Sequence, residues 1–207
     1  MIKEIKEGCI GEEVRILSRS FGLEEKTMCD KELVWSIRVF QKSSGLIDDG
    51  IFGFYSWLKY FERLKKGDRS IQKQDYVNFG KLLDCEPELI ESIIQVETKG
   101  IGFIEPQKPI SKEKSGIMSW GVMLIPEDKY MLCGVDSLNE FICEINKGEY
   151  NQLSLGISYL KNLGILKKLD FKKIAYCLCG SSFVRELYDI RLKRAYYKLK
   201  RANYPKK

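Results

Sequence analysis

One acidic residue occupies a position where the helical pattern predicts an apolar side chain. Residues 87–97 begin with proline, and the apolar stripe over 89–94 has Glu97 as its next member. Gly100 and Gly102 follow, so we expect the helix to end at Glu97, at the edge of a cleft. Burial and the partly negative carboxyl end of the helix would both raise the pKa of this carboxyl group. A carboxylic acid that stays protonated near neutral pH is the general acid of glycosidases.

The same pattern also fits a plainer interpretation of this residue. As a rim residue, Glu97 would extend its carboxylate into solvent or pair with Lys99. The helical pattern by itself favours neither interpretation.

The residue types present limit the chemistry that could surround this carboxylate. The 207 residues include seven cysteines without a Cys-x-x-Cys pair, and they include no histidine. Zinc sites with histidine ligands, Ser-His-Asp triads and Cys-His proteases are therefore excluded, and we expect neither a metal nor a cofactor. Most of the cysteines have apolar neighbours, so we interpret them as reduced, buried thiols.

The overall composition is that of a folded protein. With 44% apolar and 31% charged residues, the chain can form one domain or two small ones, and it is unlike disordered or disulfide-rich proteins. Its apolar runs fall short of the roughly 20 residues of a membrane helix. The charged start of the chain lacks the apolar stretch of a signal peptide. We therefore expect a monomer that is made in the cytoplasm.

Positive charge is concentrated at the end of the chain. Residues 185–207 contain nine Lys or Arg and two acidic residues, so their net charge of +7 exceeds the +6 of the whole chain. Apolar residues recur there at helical spacing from Phe183 to Leu199, which predicts a packed amphipathic helix with a solvated basic face. Such a segment attracts polyanions, so an anionic envelope surface is a predicted partner. No nucleic-acid-reading motif accompanies the charge, and we expect no specific nucleic acid partner.

The elements that would position these residues are predicted to be helices in two units. In the first 64 residues, apolar side chains at helical spacing predict three short helices, the second of which is capped by Asp30 and closed by Gly45. The polar segment 65–70 has no apolar periodicity and is the predicted boundary. The expected domains are therefore 1–66 and 70–207.

The second unit is also predicted to be mostly helical. Pro87 starts one helix, residues 137–140 fit a capping box, and Gly148 and Gly164 fit helix ends. Glycines and prolines over 99–125 predict loops and a small hairpin. The predicted fold class is mainly α, an N-terminal three-helix bundle followed by a mostly helical domain.

Three short motifs follow one another along the first unit. They are Gly8-x-x-Gly11-x-x-Val14-x-x-Leu17, then Phe40-Gln41-x-x-Ser44-Gly45-Leu46, then Asp49-Gly50-Ile51-Phe52-Gly53. In this order and spacing they resemble the peptidoglycan-binding domains of the three-helix type. The resemblance implies that the first unit binds bacterial peptidoglycan. The wall-binding residues that it implies are Gln41, Asp49, Gly50, Phe52 and Gly53.

Three further motifs lie in the second unit. They are Val96-Glu97-Thr98-Lys99-Gly100-Ile101-Gly102-Phe103, Ser119-Trp120-Gly121, and Tyr188-Asp189-x-Arg191-Leu192-x-x-Ala195-Tyr196. They are similar to motifs of the N-acetylmuramidase domain found in modular endolysins of phages and prophages. The resemblance implies a lysozyme-like, mainly helical fold with Glu97 as the catalytic acid. The substrate-binding residues that it implies are Ser119, Trp120, Gly121, Met123 and Gly180.

The resemblance also implies a reaction. The substrate would be the β-1,4 bond between N-acetylmuramic acid and N-acetylglucosamine, whose leaving oxygen Glu97 would protonate. Hydrolysis further needs an activated water, usually with help from a second carboxylate. The candidates for that carboxylate are Glu105, Glu113, Glu127, Asp128 and Asp136.

Two alternatives remain open within this resemblance. A lytic transglycosylase needs no water, because the 6-hydroxyl group of the sugar closes a ring and the same glutamate acts as acid and then as base. Polar residues of the family are also replaced here at Leu124 and at Leu178-Cys179-Gly180, which fits a peptidoglycan-binding protein without activity. An enzyme without a signal peptide would reach the cell wall through a pore, a secretion apparatus or lysis.

Overall fold

Helices make up most of the structure, as the spacing of the apolar residues predicts. The computed structural model describes residues 3–64, 71–99, 110–111, 118–166, 168–180, 184 and 187–203. The chain divides into two units, Met1–Lys66 and Gly67–Lys207. Among the described helices, none combines the length and the apolar character that crossing a membrane requires.

Three helices form the first unit. They are α1 (Glu12–Ser20), α2 (Lys31–Ser43) and α3 (Phe54–Leu64). The predicted N-cap of α2 is confirmed, because the Asp30 carboxylate accepts a hydrogen bond from the Leu33 amide at 2.9 Å. After α2 the chain turns at Gly45 with a φ of 69°, a left-handed conformation that favours glycine.

Phe52 lies at the centre of an aromatic core in the first unit. The side chain is fully buried, and its ring centroid is 4.9 Å from that of Trp57 and 5.4 Å from that of Phe40. Aromatic pairs at these separations add stabilisation to that of simple burial. Phe52 also forms an antiparallel bridge with Ile5, which attaches the segment between α2 and α3 to the start of the chain.

The second unit contains the remaining helices and a small sheet. The helices are α4 (Lys73–Leu83), α5 (Pro87–Glu97), α6 (Leu138–Asn146), α7 (Glu149–Leu163), α8 (Phe171–Cys179) and α9 (Tyr188–Asn203), with a 3-10 helix over Glu127–Cys133. The strands are β1 (Ile110–Ser111), β2 (Met118–Trp120) and β3 (Ile125–Pro126), antiparallel in the order β1-β2-β3. The hairpin predicted within 99–125 is present as β1 and β2, and β3 adds a third strand.

Most helix ends in this unit follow the predicted signals. Pro87 is the first residue of α5, where its missing amide hydrogen is not needed. The Ser137 hydroxyl accepts a hydrogen bond from the Glu140 amide at 3.2 Å, and Gly164 ends α7 with a φ of 64°. The capping signals therefore predict these boundaries correctly.

The prediction for Gly148 is wrong. Helix α6 ends at Asn146 with Lys147 as its cap, whereas Gly148 is the N-cap of α7, with a φ of 137°. Only two residues separate the two helices, so the glycine belongs to the start of the second helix rather than to the end of the first.

All seven cysteines are free thiols. Burial raises the pKa of both the Cys85 and the Cys133 thiol to about 12. Since the thiolate is the reactive form, these two side chains are inert packing groups.

Candidate functional site

Glu97 is the last residue of α5, where the sequence predicts the helix to end. The Thr98 amide and hydroxyl both donate to the Ile94 carbonyl, at 2.9 and 2.7 Å, and complete the last turn. Lys99 has a φ of 54°, which turns the chain away from the helix axis. Glu97 is half-buried between the buried residues Val96 and Thr98. Its carboxyl group therefore lies at the border between the core and the solvent.

Helix α9 holds this end of α5. The Tyr188 hydroxyl donates a hydrogen bond to Oε1 of Glu97 at 2.6 Å, and Nη2 of Arg191 donates to the Val96 carbonyl at 3.0 Å. Tyr188 and Arg191 are three residues apart, so they lie on the same face of α9. The cation of Arg191 also compensates the partial negative charge at the end of α5. These contacts fix the position of the Glu97 carboxyl group.

The same helix holds the other end of α5. Tyr196 and Lys200 donate hydrogen bonds to the carboxylate of Glu86, the N-cap of α5, and Nζ of Lys200 is 2.8 Å from both oxygens. The hydrogen bonds from Lys200 and Tyr196 lower the pKa of Glu86. Helices α5 and α9 are therefore antiparallel neighbours that are joined at both ends. The sequence motif that runs from Tyr188 to Tyr196 supplies the contacts of Tyr188, Arg191 and Tyr196.

Tyr188 remains a hydrogen-bond donor throughout the physiological pH range. Burial, followed by the negative charge of Glu97, raises the pKa of Tyr188 well above its ordinary value. The phenol is therefore protonated near neutral pH, and it can stabilise the carboxylate form of Glu97.

The Ser-Trp-Gly motif lies on β2 and in the turn that follows it. The turn is closed by a hydrogen bond of 3.0 Å from the Leu124 amide to the Gly121 carbonyl. Gly121 has a φ of 73°, a conformation that favours glycine. Ser119 and Met123 are buried, whereas Trp120 is half-buried. Met123 packs so closely on α7 that a Cβ at Gly156 would collide with its side chain. Met123 is therefore a core residue that packs the hairpin against α7. Its side chain is buried and is not accessible to a substrate.

Helix α7 packs against the hairpin, and its Tyr159 lies within electrostatic range of Glu97. Gln152, Gly156 and Tyr159 are spaced by four and three residues and so share one face of α7. Gln152 contacts the hairpin, since a Cβ at Gly121 would lie 3.5 Å from the Gln152 Cβ. Burial raises the pKa of Tyr159, and the nearby charge of Glu97 raises it further. Neither Gln152 nor Tyr159 is predicted from the sequence, although a glutamine within an apolar helical stretch was an available signal.

Three buried polar atoms near this hairpin have no hydrogen-bond partner in the described part of the chain. They are Oγ of Ser119, Nε1 of Trp120 and Oε1 of Gln152. A buried polar group without a partner costs about 1–3 kcal/mol, so such groups are uncommon in folded cores. Two of these atoms belong to the motif itself, and the third belongs to the helix that packs on it.

A family model matches part of the second unit. Residues 112–200 match the family model of the N-acetylmuramidases. This segment is therefore similar to an N-acetylmuramidase domain. The matched segment includes both the Ser-Trp-Gly motif and Tyr188, and it begins after Glu97. The match supports a peptidoglycan hydrolase of the glycoside hydrolase type.

The fold has a counterpart among solved structures. The crystal structure of the Burkholderia AP3 phage endolysin is similar to this chain, with a TM-score of 0.52 and 19% sequence identity. The similarity covers 96% of this chain and 100% of the endolysin chain. It shows that the chain has the mainly helical, lysozyme-like fold of that endolysin. No curated protein sequence matches this chain.

The other residues predicted for the muramidase site have varied surroundings. Gly180 is exposed at the end of α8, with a φ of 61°, and no described contact brings it to the hairpin. Glu105 and Glu113 lie outside the described residues. Asp128 is exposed, and its charge, like that of Glu97, raises the pKa of Tyr159.

The remaining two carboxylate candidates lie in helix starts. Glu127 is in the first turn of the 3-10 helix, and Asp136 directly precedes the N-cap of α6. The amide of Asp136 donates to the Glu140 carboxylate at 2.9 Å, which is a contact of the capping region. Among the described candidates, Asp128 is the one whose charge acts on Tyr159, a residue that the charge of Glu97 also affects.

In the first unit, the predicted wall-binding residues hold the loop between α2 and α3 through hydrogen bonds. Nε2 of Gln41 donates to Oδ1 of Asp49 at 3.0 Å and to the Ile51 carbonyl at 2.9 Å, and its Oε1 accepts from the Gly50 amide at 2.9 Å. Gly50 has a φ of 79°, and a Cβ there would lie 2.9 Å from the side chain of Val34. These residues fix the conformation of the segment between α2 and α3.

This placement corrects the prediction for two of these residues. Gln41 is 2% exposed and Phe52 is fully buried, so neither side chain is accessible to a polymer. Asp49 is exposed and Gly53 is half-buried before α3. The motif therefore marks residues that build the unit, and only part of it lies on the surface.

A groove on the first unit is a better candidate for polymer binding. It has a volume of about 470 Å³ and lies between residues of α1, α2 and α3. Trp35 on α2 is 67% exposed in its wall. The guanidinium of Arg63 lies 4.6 Å above the Phe40 ring and donates to the Ser43 hydroxyl at 2.8 Å. The groove thus combines an exposed aromatic face with a cation and hydroxyl groups.

Proposed function

We propose that this chain is an endolysin-type N-acetylmuramidase that cleaves the β-1,4 bond between N-acetylmuramic acid and N-acetylglucosamine, with Glu97 as the general acid. The observation that carries this proposal is the hydrogen bond from Tyr188 to Glu97. It joins a half-buried carboxyl group at a helix end to a residue of the matched muramidase segment. A general acid needs such a fixed position, because proton transfer requires hydrogen-bond reach of the leaving oxygen.

The geometry suits the acid step of glycoside cleavage. Glu97 in its acid form would protonate the glycosidic oxygen as positive charge develops on the muramic acid ring. After the proton has left, the Tyr188 hydroxyl would stabilise the resulting carboxylate. For the water that completes hydrolysis, Asp128 is the candidate carboxylate that shares Tyr159 with Glu97.

A digest of purified peptidoglycan tests the proposal. The natural chain is compared with Glu97→Gln, and soluble fragments are identified by mass spectrometry. We expect Glu97→Gln to release fragments at least about 100-fold more slowly, which is the usual contribution of a general acid. Glu91→Gln is the matched control, because Glu91 lies on the same helix and is half-buried like Glu97. This control should retain its activity.

The fragment ends distinguish the alternatives. Reducing N-acetylmuramic acid ends would support a muramidase, whereas 1,6-anhydro ends would support a lytic transglycosylase with the same acid. If the natural chain releases nothing but sediments with the wall, the proposal of an active enzyme is wrong and the chain is a wall-binding protein.

We also propose that the first unit binds peptidoglycan through the groove that contains Trp35. An exposed indole offers a flat apolar face to the apolar side of a sugar ring, while Arg63 and Ser43 can bind its carboxylate and hydroxyl groups. The test is sedimentation with insoluble peptidoglycan in a Glu97→Gln background, which prevents digestion. Trp35→Ala should weaken sedimentation about 10-fold, in line with an interface aromatic residue. Ile47→Ala is the control, since Ile47 is 84% exposed outside the groove.

A further inference from the structure

The outer face of α9 carries a continuous basic stripe. Its residues follow one another at steps of three, one, three, one and three, so they share one side of the helix. They line an open groove of about 610 Å³. The stripe consists of Ile190, Lys193, Arg194, Tyr197, Lys198 and Arg201.

The cations of this stripe are available for a ligand. Lys193, Arg194, Lys198 and Arg201 are all exposed, and none of them forms an ion pair with a described residue. Lys200 on the adjacent face differs, because it pairs with Glu86. An adjoining cavity adds three lysines and two acidic residues to the surroundings of the stripe. They are Lys168, Lys172, Lys173, Asp170 and Asp189.

Apolar side chains are exposed among these cations. Ile190 is 41% and Tyr197 is 44% exposed, and Leu187, one turn before the stripe, is 54% exposed. The opposite face of α9 carries the buried residues that pack on α5. The outer residues therefore take no part in the contacts between α9 and α5. An aliphatic and an aromatic residue between lysines and arginines are typical of helices that lie in a lipid interface.

We propose that the outer face of α9 binds the surface of an anionic lipid bilayer. The four cations would contact lipid phosphate groups, while Ile190 and Tyr197 would enter the border between headgroups and acyl chains. The exposed apolar side chains favour lipid over nucleic acid, whose backbone offers phosphate without an apolar layer. This role is independent of the cleavage reaction, since it uses no residue of the candidate active site.

The test measures sedimentation of the full chain with vesicles. Vesicles of phosphatidylglycerol and phosphatidylcholine in equal parts are compared with vesicles of phosphatidylcholine alone. We expect binding only to the anionic vesicles. The triple variant Lys193→Glu, Arg194→Glu, Lys198→Glu should bind at least about 100-fold more weakly, given the contribution of each basic residue near an anionic surface. Cleavage of soluble glycan should stay unchanged in this variant.

Two further variants decide what the face recognises. The triple variant Lys6→Glu, Lys31→Glu, Lys42→Glu has the same net charge but changes exposed residues of the first unit, so it should bind the vesicles normally. Ile190→Ser with Tyr197→Ser should weaken vesicle binding while leaving any retention on duplex DNA unchanged.

Three results would overturn the proposal. They are no binding of the natural chain to the anionic vesicles, an equal loss in the two charge variants, and full vesicle binding without Ile190 and Tyr197. The first would leave the face without a lipid partner, the second would indicate a net-charge effect, and the third would indicate a site for polyanions in general.

Discussion

Tyr188 keeps its proton and donates a hydrogen bond to Glu97, whose carboxyl group lies at the edge of the core. Burial and the charge of Glu97 both raise the pKa of Tyr188, so the phenol keeps its proton when the carboxyl group changes state. A donor of this kind stabilises the carboxylate more than the acid. It therefore influences the pH at which Glu97 can deliver a proton.

Removing this donor should change the pH dependence of cleavage. In Tyr188→Phe the Glu97 carboxylate loses its hydrogen bond of 2.6 Å, which raises the pKa of Glu97. A general acid with a higher pKa stays protonated to higher pH, so the alkaline limb of the profile of kcat/KM should move upwards by about one pH unit. We expect kcat/KM at the optimum to fall about 10-fold, as for the loss of a hydrogen bond to a charged group.

The control for this prediction lies on the same helix. Tyr197→Phe removes a hydroxyl from an exposed tyrosine of α9 and should leave the profile unchanged. A fall in rate for Tyr188→Phe without movement of the alkaline limb would mean that Tyr188 supports the fold of the site and does not tune Glu97.

At the scale of elements, α5 is positioned by α9 along its length and by a tight connection from α4. The chain leaves α4 through Asp84, with a φ of 56°, and the Cys85 amide donates to the Gly80 carbonyl at 2.9 Å. A Cβ at Gly80 would lie 2.8 Å from the Cys85 carbonyl oxygen and 3.2 Å from the Pro87 nitrogen. Glycine is needed here because backbone atoms, which cannot turn aside, fill the space of a side chain.

Gly80→Ala should therefore destabilise the second unit. Overpacking against backbone costs about 1–3 kcal/mol, and the better helix propensity of alanine returns up to about 1 kcal/mol. We expect a net loss of about 1–2 kcal/mol and a Tm lower by about 2–8 °C, measured by calorimetry. Lys81→Ala, at the next and exposed position, should change the Tm little. An unchanged Tm in Gly80→Ala would show that the connection can relax.

At the scale of the whole molecule, two units on one chain can act on one polymer. When one unit holds the wall, the second meets the same polymer at a raised effective concentration. The gain exists only where both sites find the polymer together, as we expect on insoluble peptidoglycan. Soluble glycan fragments released from the wall offer no such advantage.

The two substrates should therefore respond differently to a change in the first unit. Trp35→Ala should slow digestion of insoluble peptidoglycan about 10-fold or more, while cleavage of short soluble glycans stays unchanged. Rates of fragment release from both substrates, measured side by side, check this expectation. Equal rates of the variant and the natural chain on insoluble wall would mean that the groove does not retain the enzyme.

The amino-acid sequence alone determines the local features of this protein. Apolar spacing and capping residues predict the helices, and Asp30 and Pro87 begin α2 and α5 as expected. The apolar stripe of α5 breaks at Glu97, which makes this carboxylate a candidate but does not distinguish a general acid from a rim residue. These features are local, because hydrogen bonds and periodicity within one helix depend on neighbours in the chain. Gly148 shows the limit of this logic, since a glycine between two close helices can serve either one.

The tertiary structure decides which side chains meet. The pairing of Glu97 with Tyr188 spans 91 positions, and the packing of α7 against the hairpin brings Gln152 beside Gly121. Burial is decided at the same level. Gln41 and Phe52 belong to motifs that resemble those of binding domains, yet both lie in the interior, while Trp35 lies exposed in a groove. Contacts between distant residues depend on how helices pack against one another. Periodicity along a single helix shows which face is apolar but not which partner covers it.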